Sequence, residues 1–130
     1  MKIVINDKRK IYAIQKEFSS EFPFLKIQFF AKSNTSNGES STKIIKHSSK
    51  EIAECRTQHN IGEIEIMPEM SVNSLEQIFR DIFGLHAEVL RKSGKAWLET
   101  SVTGNWSLME QNAEGMALEK NEQKKSASHF

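Results

Sequence analysis

Residues 71–102 constrain this chain more than any other stretch. Ser71 stands where a helix N-cap belongs, and Val72, Leu75, Ile78, Phe79, Ile82 and Phe83 follow at the spacing of one wide apolar helix face. Gly84 comes next, the residue type that closes helices in the left-handed conformation. Two strand-like runs, 86–92 and 95–102, then flank Ser93-Gly94, where glycine after a small polar residue suits a two-residue hairpin turn. A chain that must bury such a helix face against such a hairpin is an α+β domain.

The other elements follow from the same periodicities. Residues 2–6 read as a short β-branched strand, stopped by Asn6 and Asp7, either of which can cap the next helix. Ile11, Ile14, Phe18 and Phe22 form one helical stripe, which Pro23 ends. Residues 24–31 alternate, with Leu25, Ile27, Phe29 and Ala31 on one face and Lys26, Gln28 and Phe30 on the other. Strand, helix and strand in this order predict a right-handed βαβ unit with parallel strands.

Residues 33–42 hold little that packs and read as a flexible loop, after which Ile44 and Ile45 reach the core. Ser48 and Glu51 have capping-box spacing and predict a short helix that carries Ile52 and Cys55 inward. Residues 63–67 alternate again, with Ile64 and Ile66 on one face. Thr103-Gly104-Asn105 reads as a turn, and Ser107 with Glu110 starts a third helix docked through Leu108, Met109, Ala113, Met116 and Ala117. Gly115 weakens that helix by about 1 kcal/mol relative to alanine.

The expected organisation is a single α+β domain over 1–118 with a flexible insert near 32–43, then a disordered charged tail over 119–130. The first six elements match a ferredoxin-like, split βαβ core, to which a C-terminal strand and helix are added. That arrangement hosts many functions, so the role has to be argued from sites.

The net charge of +1 gives no global pull toward nucleic acid or anionic membrane. Its distribution is uneven. Residues 1–60 carry 11 basic against 6 acidic side chains, residues 61–90 one against 6, and residues 91–95 three basic and no acidic. Cys55 is the sole cysteine, which rules out an intramolecular disulfide. Residues 1–7 lack the apolar run of a signal peptide and no stretch has transmembrane length. The expectation is a cytoplasmic protein without a membrane partner.

The densest local charge is the hairpin tip Arg91-Lys92-Ser93-Gly94-Lys95, followed by Trp97. A turn at Ser93-Gly94 pairs Lys92 with Lys95, Leu90 with Trp97 and Glu88 with Glu99. Leu90 and Trp97 then point away from the core, between a lysine pair and a glutamate pair. Val89, Leu98 and the stem of Arg91 point inward. Like charges in direct opposition cost stability, which suggests a counterpart of opposite sign. Arg91, Lys92, Lys95, Trp97 and Leu90 are therefore the candidate binding residues, with phosphate or an acidic partner on the lysines and an apolar anchor or base on Trp97. The competing reading is that the third helix covers Trp97 and water covers the lysines.

Cys55 and His59, with His47 and Glu54 nearby, have a spacing that suits two zinc ligands or a nucleophile pair. A lone cysteine is more simply a small buried hydrophobe. Glu63, Glu65 and Glu69 read as the wet side of a strand. No dinucleotide fingerprint, P-loop, zinc-protease helix or nucleophile elbow is present, so no catalytic residue, metal ligand or cofactor is assigned. The two strands 2–6 and 63–67 lack the aromatics on which RNA readers of this topology stack bases.

The expectation is a non-enzymatic binding or assembly module. It would act on a protein partner or on itself through the 88–99 hairpin. One alternative is a nucleic-acid-binding domain that adds Lys8, Arg9 and Lys10 to the hairpin tip, and another is a small Cys/His enzyme or metal protein.

Overall fold

The computed structural model describes residues 1–34, 40–44 and 49–127, with the backbone alone at 31–34, 40–44 and 122–127. The elements run β1 Lys2–Ile5, α1 Ile11–Glu21, β2 Leu25–Asn34, β3 Ser40–Ile44, a 3₁₀ turn Ile52–Cys55, β4 Gly62–Glu65, α2 Val72–Phe83, β5 His86–Ser93, β6 Ala96–Glu99 and α3 Leu108–Ala127. The protein is a small α+β domain of three helices and two antiparallel sheets.

Those strands do not form one sheet. β1 pairs with β4 alone, and the other four run in the order β3-β2-β5-β6. The parallel pairing expected of β1 and β2 is therefore replaced by two separate antiparallel partnerships. The reason lies in β2, which takes β5 on one side through Leu25–Phe30 and β3 on the other through Phe30–Asn34. β1 in turn has its register fixed by β4 and by the N-terminal amine, which donates to the Ile66 carbonyl at 2.9 Å. A single ferredoxin-like sheet is not what these pairings build. β3 falls within the segment read as a flexible insert, because its Ser-Ser-Thr-Lys carries polar alternation and no apolar face. Residues 35–39 lie outside the described residues, as do residues 45–48, and with them the expectations for Ile45 and Ser48. The side chain of Ile44 is not described either.

The core lies where α1 and α2 cover one face of the four-stranded sheet. Ile11, Ile14 and Phe18 of α1, Leu25, Ile27 and Phe29 of β2, and Val72, Leu75 and Phe79 of α2 are all buried. The rings of Phe29 and Phe79 meet edge-on at 5.5 Å. Ile3, Ile5, Ile64 and Ile66 close the core from the two-stranded sheet. The expected stripe of α1 holds, and that of α2 holds except at Ile82, which is exposed; Ser71 is the N-cap, with its hydroxyl accepting from the Ser74 N–H, and Gly84 the C-cap at φ +65°. The 3₁₀ turn is capped by Glu51 and Glu54 reciprocally and carries Ile52 and Cys55 inward.

α3 docks differently from its apolar pattern. Met109, Ala113, Met116 and Ala117 are exposed, whereas Leu108, Gln111 and Gly115 are buried. The docking stripe is mainly polar. The amide of Gln111 donates to the carbonyl and hydroxyl oxygens of Thr103 at 2.7 and 2.8 Å and accepts from Arg91 at 2.9 Å. Asn112 accepts the Phe24 N–H at 2.9 Å. Burial of four paired polar bonds replaces burial of methionines, so a search for apolar periodicity chooses the wrong face. The helix persists to Ala127, through the segment whose composition suggested a tail.

Candidate functional site

The hairpin β5–β6 forms, with its turn one residue later than expected. Ser93 pairs with Ala96, Lys92 with Trp97, Arg91 with Leu98 and Leu90 with Glu99. Gly94 takes φ +60° and no other residue type in the described chain has positive φ, which defines a type II′ turn over Gly94-Lys95. A turn centred on Ser93-Gly94 of the alternative mirror type would need Ser93 at positive φ as well. Placing glycine first removes that strain.

The shift moves each pairing by two positions, so every side chain keeps the face that alternation assigned to it. The like charges are no longer directly opposed, however. Lys92 faces Trp97 instead of Lys95, and Glu99 faces Leu90 instead of Glu88.

Among the five candidate residues, the structure brings Lys92, Leu90 and Trp97 to one face and sends the others elsewhere. Trp97 is 37% exposed and stacks under the ammonium of Lys26, 5.0 Å from the ring centroid. Leu90 shares that face but is 5% exposed, so it offers no surface. Lys92 lies 3.5 Å from Glu119 of α3. Arg91 turns to the opposite face, where its guanidinium bonds Gln111 and lies 5.6 Å from the Trp106 ring. The tryptophan that Arg91 meets is thus Trp106, not Trp97. Lys95 sits exposed in the turn. The basic tip is dispersed, and the basic segment before α1 is likewise engaged: Arg9 pairs with Glu17, and Lys10 with Glu51 at 3.5 Å.

Strand edges are the other resource of this surface. Gln15 and Ser19 of α1 donate to the Ile27 and Leu25 carbonyls, covering the edge of β2 that β3 does not reach. At the opposite end of β5, the Val89 N–H donates to the Glu76 carboxylate at 2.9 Å and its carbonyl accepts from the Thr100 hydroxyl at 2.8 Å. These side chains replace β6 where it leaves the sheet after Glu99. Arg9 donates to the Val4 carbonyl on β1, and β4 exposes Glu63 and Glu65, charges that blunt an edge.

β6 has no such cover among the described residues. All four of its residues are exposed, with Trp97 and Leu98 at 37% and 43% on opposite faces. Because Val89 directs its N–H and carbonyl toward the β6 side, Leu98 and Ala96 are the residues bonded to β5. The N–H and carbonyl groups of Trp97 and Glu99 consequently point away from the sheet. Lys26, Leu98, Glu76 and Thr100 were absent from the sequence-derived site. The placement of Lys26 on the wet face of its strand was the one signal available.

A shallow cavity of about 340 Å³ opens where β6 departs, lined by Phe30, Glu76, His86, Ala87, Glu88 and Ser101. Burial raises the pKa of Glu76, opposed by its bond from the Val89 N–H, and burial followed by the charge of Glu99 raises that of Glu88. A raised folded pKa means that the folded state holds the proton longer than the unfolded chain. The stability this contributes is complete below the ordinary glutamate value of 4.5 and is lost as pH rises through the folded value. Glu76→Gln, whose amide oxygen still accepts from Val89, should therefore melt above wild type near neutral pH, with the gap closing toward pH 4.5. Thermal melts across that range check it; parallel profiles would show a solvated carboxylate.

The Cys55/His59 pair is taken apart. The Cys55 thiol donates to the Glu51 carbonyl at 3.5 Å, and burial pushes its pKa up, the opposite of an activated nucleophile. His59 Nδ1 lies 2.7 Å from Asp7. Among the described residues no three His, Cys, Asp or Glu side chains converge as metal ligands, and no helix is long and apolar enough to cross a membrane. Compared with protein families, curated sequences and solved structures, the chain matches none.

Proposed function

We propose that this chain is a non-enzymatic binding module that accepts an extended protein strand on the open edge of β6. The observation that carries this reading is β6, all four residues of which are exposed, with outward backbone groups at Trp97 and Glu99 that no described residue covers and an apolar side chain on each face. Strand addition obtains affinity from main-chain bonds and specificity from alternate side chains, and β6 offers both. With β3 set aside as an insertion, the order β1-α1-β2-β4-α2-β5 is that of a ferredoxin-like chain, read here as a variant whose strands divide into two sheets. A buried lone thiol accords with a cytoplasmic setting. The nucleic-acid alternative loses support from the pairing of Arg9, Lys10, Arg91 and Lys92 with acidic or amide groups.

Amide hydrogen exchange tests the reading. In dilute protein the Trp97 and Glu99 amides should exchange far faster than those of Ala96 and Leu98. A synthetic peptide of residues 94–101 in excess should slow them. A Trp97→Pro variant, which loses an outward N–H and the indole under Lys26 but keeps the ladder to β5, should fold and show no such response. Slow exchange at Trp97 and Glu99 in dilute protein would mean that the edge is already covered, and the reading would fail.

A further inference from the structure

We infer that the strand accepted by β6 is the β6 of a second copy, antiparallel and centred on Trp97; this rests on the open-edge reading above. The register follows from three facts about the strand. First, the outward-pointing backbone groups of the strand belong to Trp97 and Glu99, the residues that alternate with those bonded to β5, and Lys95 stands just before the strand, in the turn. An antiparallel pair joins residues that both point at each other, so odd positions must meet odd positions and a one-residue slip is excluded. Second, a two-fold axis at Trp97 makes Trp97 exchange both backbone bonds with its own copy and brings the side chain of the turn residue Lys95 beside Glu99 of the second copy, twice. Third, the neighbouring allowed registers lose this match. Centred on Leu98, the pairing sets Trp97 against glutamate and leaves Lys95 against Ser101; centred on Ala96, it sets Lys95 against Trp97 and leaves Glu99 against Ser93.

Charge complementarity thus selects one register out of three. The same register packs Leu98, 43% exposed in the single chain, against Ala96 of the second copy on the inner face. No helix obstructs the approach among the described residues, since α3 lies against β5 and β2. The product is a continuous sheet in which the four strands of one copy extend into four of the other, with isologous symmetry. An edge of four residues buries little area, so the dimer should dissociate on dilution.

Sedimentation equilibrium of the full chain, with charge variants, is the test. Wild type should rise from the 14.9 kDa monomer toward twice that mass with concentration. Lys95→Glu and Glu99→Lys each place like charges in contact at both ends of the pairing and should weaken association about tenfold. The double variant K95E/E99K recreates both contacts with signs exchanged and should restore wild-type association. Association that Trp97→Pro abolishes but the charge variants leave unchanged would overturn the Trp97-centred register while leaving the open edge standing. A monomer at every concentration, with the Trp97 and Glu99 amides exchanging freely, would overturn self-pairing and point to a different protein on the same edge.

Discussion

Arg56→Met should lower the unfolding free energy by about 2–3 kcal/mol, the largest loss expected of any single polar substitution in this protein. The Arg56 side chain is fully buried, and its donors bind two segments distant in the chain. Nε and Nη2 reach Asp7 Oδ1 at 3.1 and 2.8 Å, in the loop after β1, and Nη1 reaches the Phe83 carbonyl at 3.0 Å, at the end of α2. Methionine fills much of the stem volume but leaves that carbonyl buried without a partner. Gln58 and Asn60 donate to the adjacent Ile82 carbonyl, so the whole C-terminus of α2 is closed by the segment containing Arg56. Urea titration measures the loss.

The same substitution should change the acid limb of stability. The Arg56 guanidinium, with His59 second among the partners, holds Asp7 below the ordinary carboxylate value of 3.8. A depressed folded pKa stabilises above the unfolded value and ceases to do so as pH falls through the folded one. Wild type should therefore weaken as pH drops below 3.8, and Arg56→Met should show a shallower decline there.

Gly115→Ala should destabilise the protein by about 1–2 kcal/mol, against the sign that helix propensity gives. A Cβ at Gly115 would lie 2.8 Å from the Phe24 Cβ, closer than such atoms approach, and a tight 3.2 Å from the Phe24 carbonyl oxygen. Relief requires α3 to move off β2, which strains the Asn112–Phe24 and Gln111–Arg91 bonds. Ala113→Gly, two residues away on the exposed side of the same helix, should cost about 1 kcal/mol from propensity alone. Denaturant midpoints of the two variants decide: a stabilised Gly115→Ala would mean that α3 is not held this close to β2.

Where local chemistry was unopposed, the sequence was readable. Ser71 and Gly84 bound α2 as their side chains and backbone freedom dictate, and Ile64 with Ile66 alternated into the core. The hairpin register was misplaced by one turn position because two glycine-containing turn types suit the same four residues. Only the conformation of Ser93 separates them. The face assignment survived because strand alternation has period two. The docking face of α3 was missed for a different reason: a stripe built from Gln111, Asn112 and Gly115 has no hydrophobic signature, and its partners are far away in the chain.

By itself, then, the amino-acid sequence determined α1, α2 and which residues of β1, β2, β4, β5 and β6 share a face, since these depend on spacing and on groups a few residues apart, whereas β3 and the full length of α3 left no such signal. The tertiary structure alone decided that the strands divide into two sheets, that Arg91 and Lys92 are drawn toward α3, and that β6 has no cover among the described residues. Those outcomes depend on competition among distant partners for the same backbone and charged groups, and the spacing of residues along the chain carries no record of which partner wins.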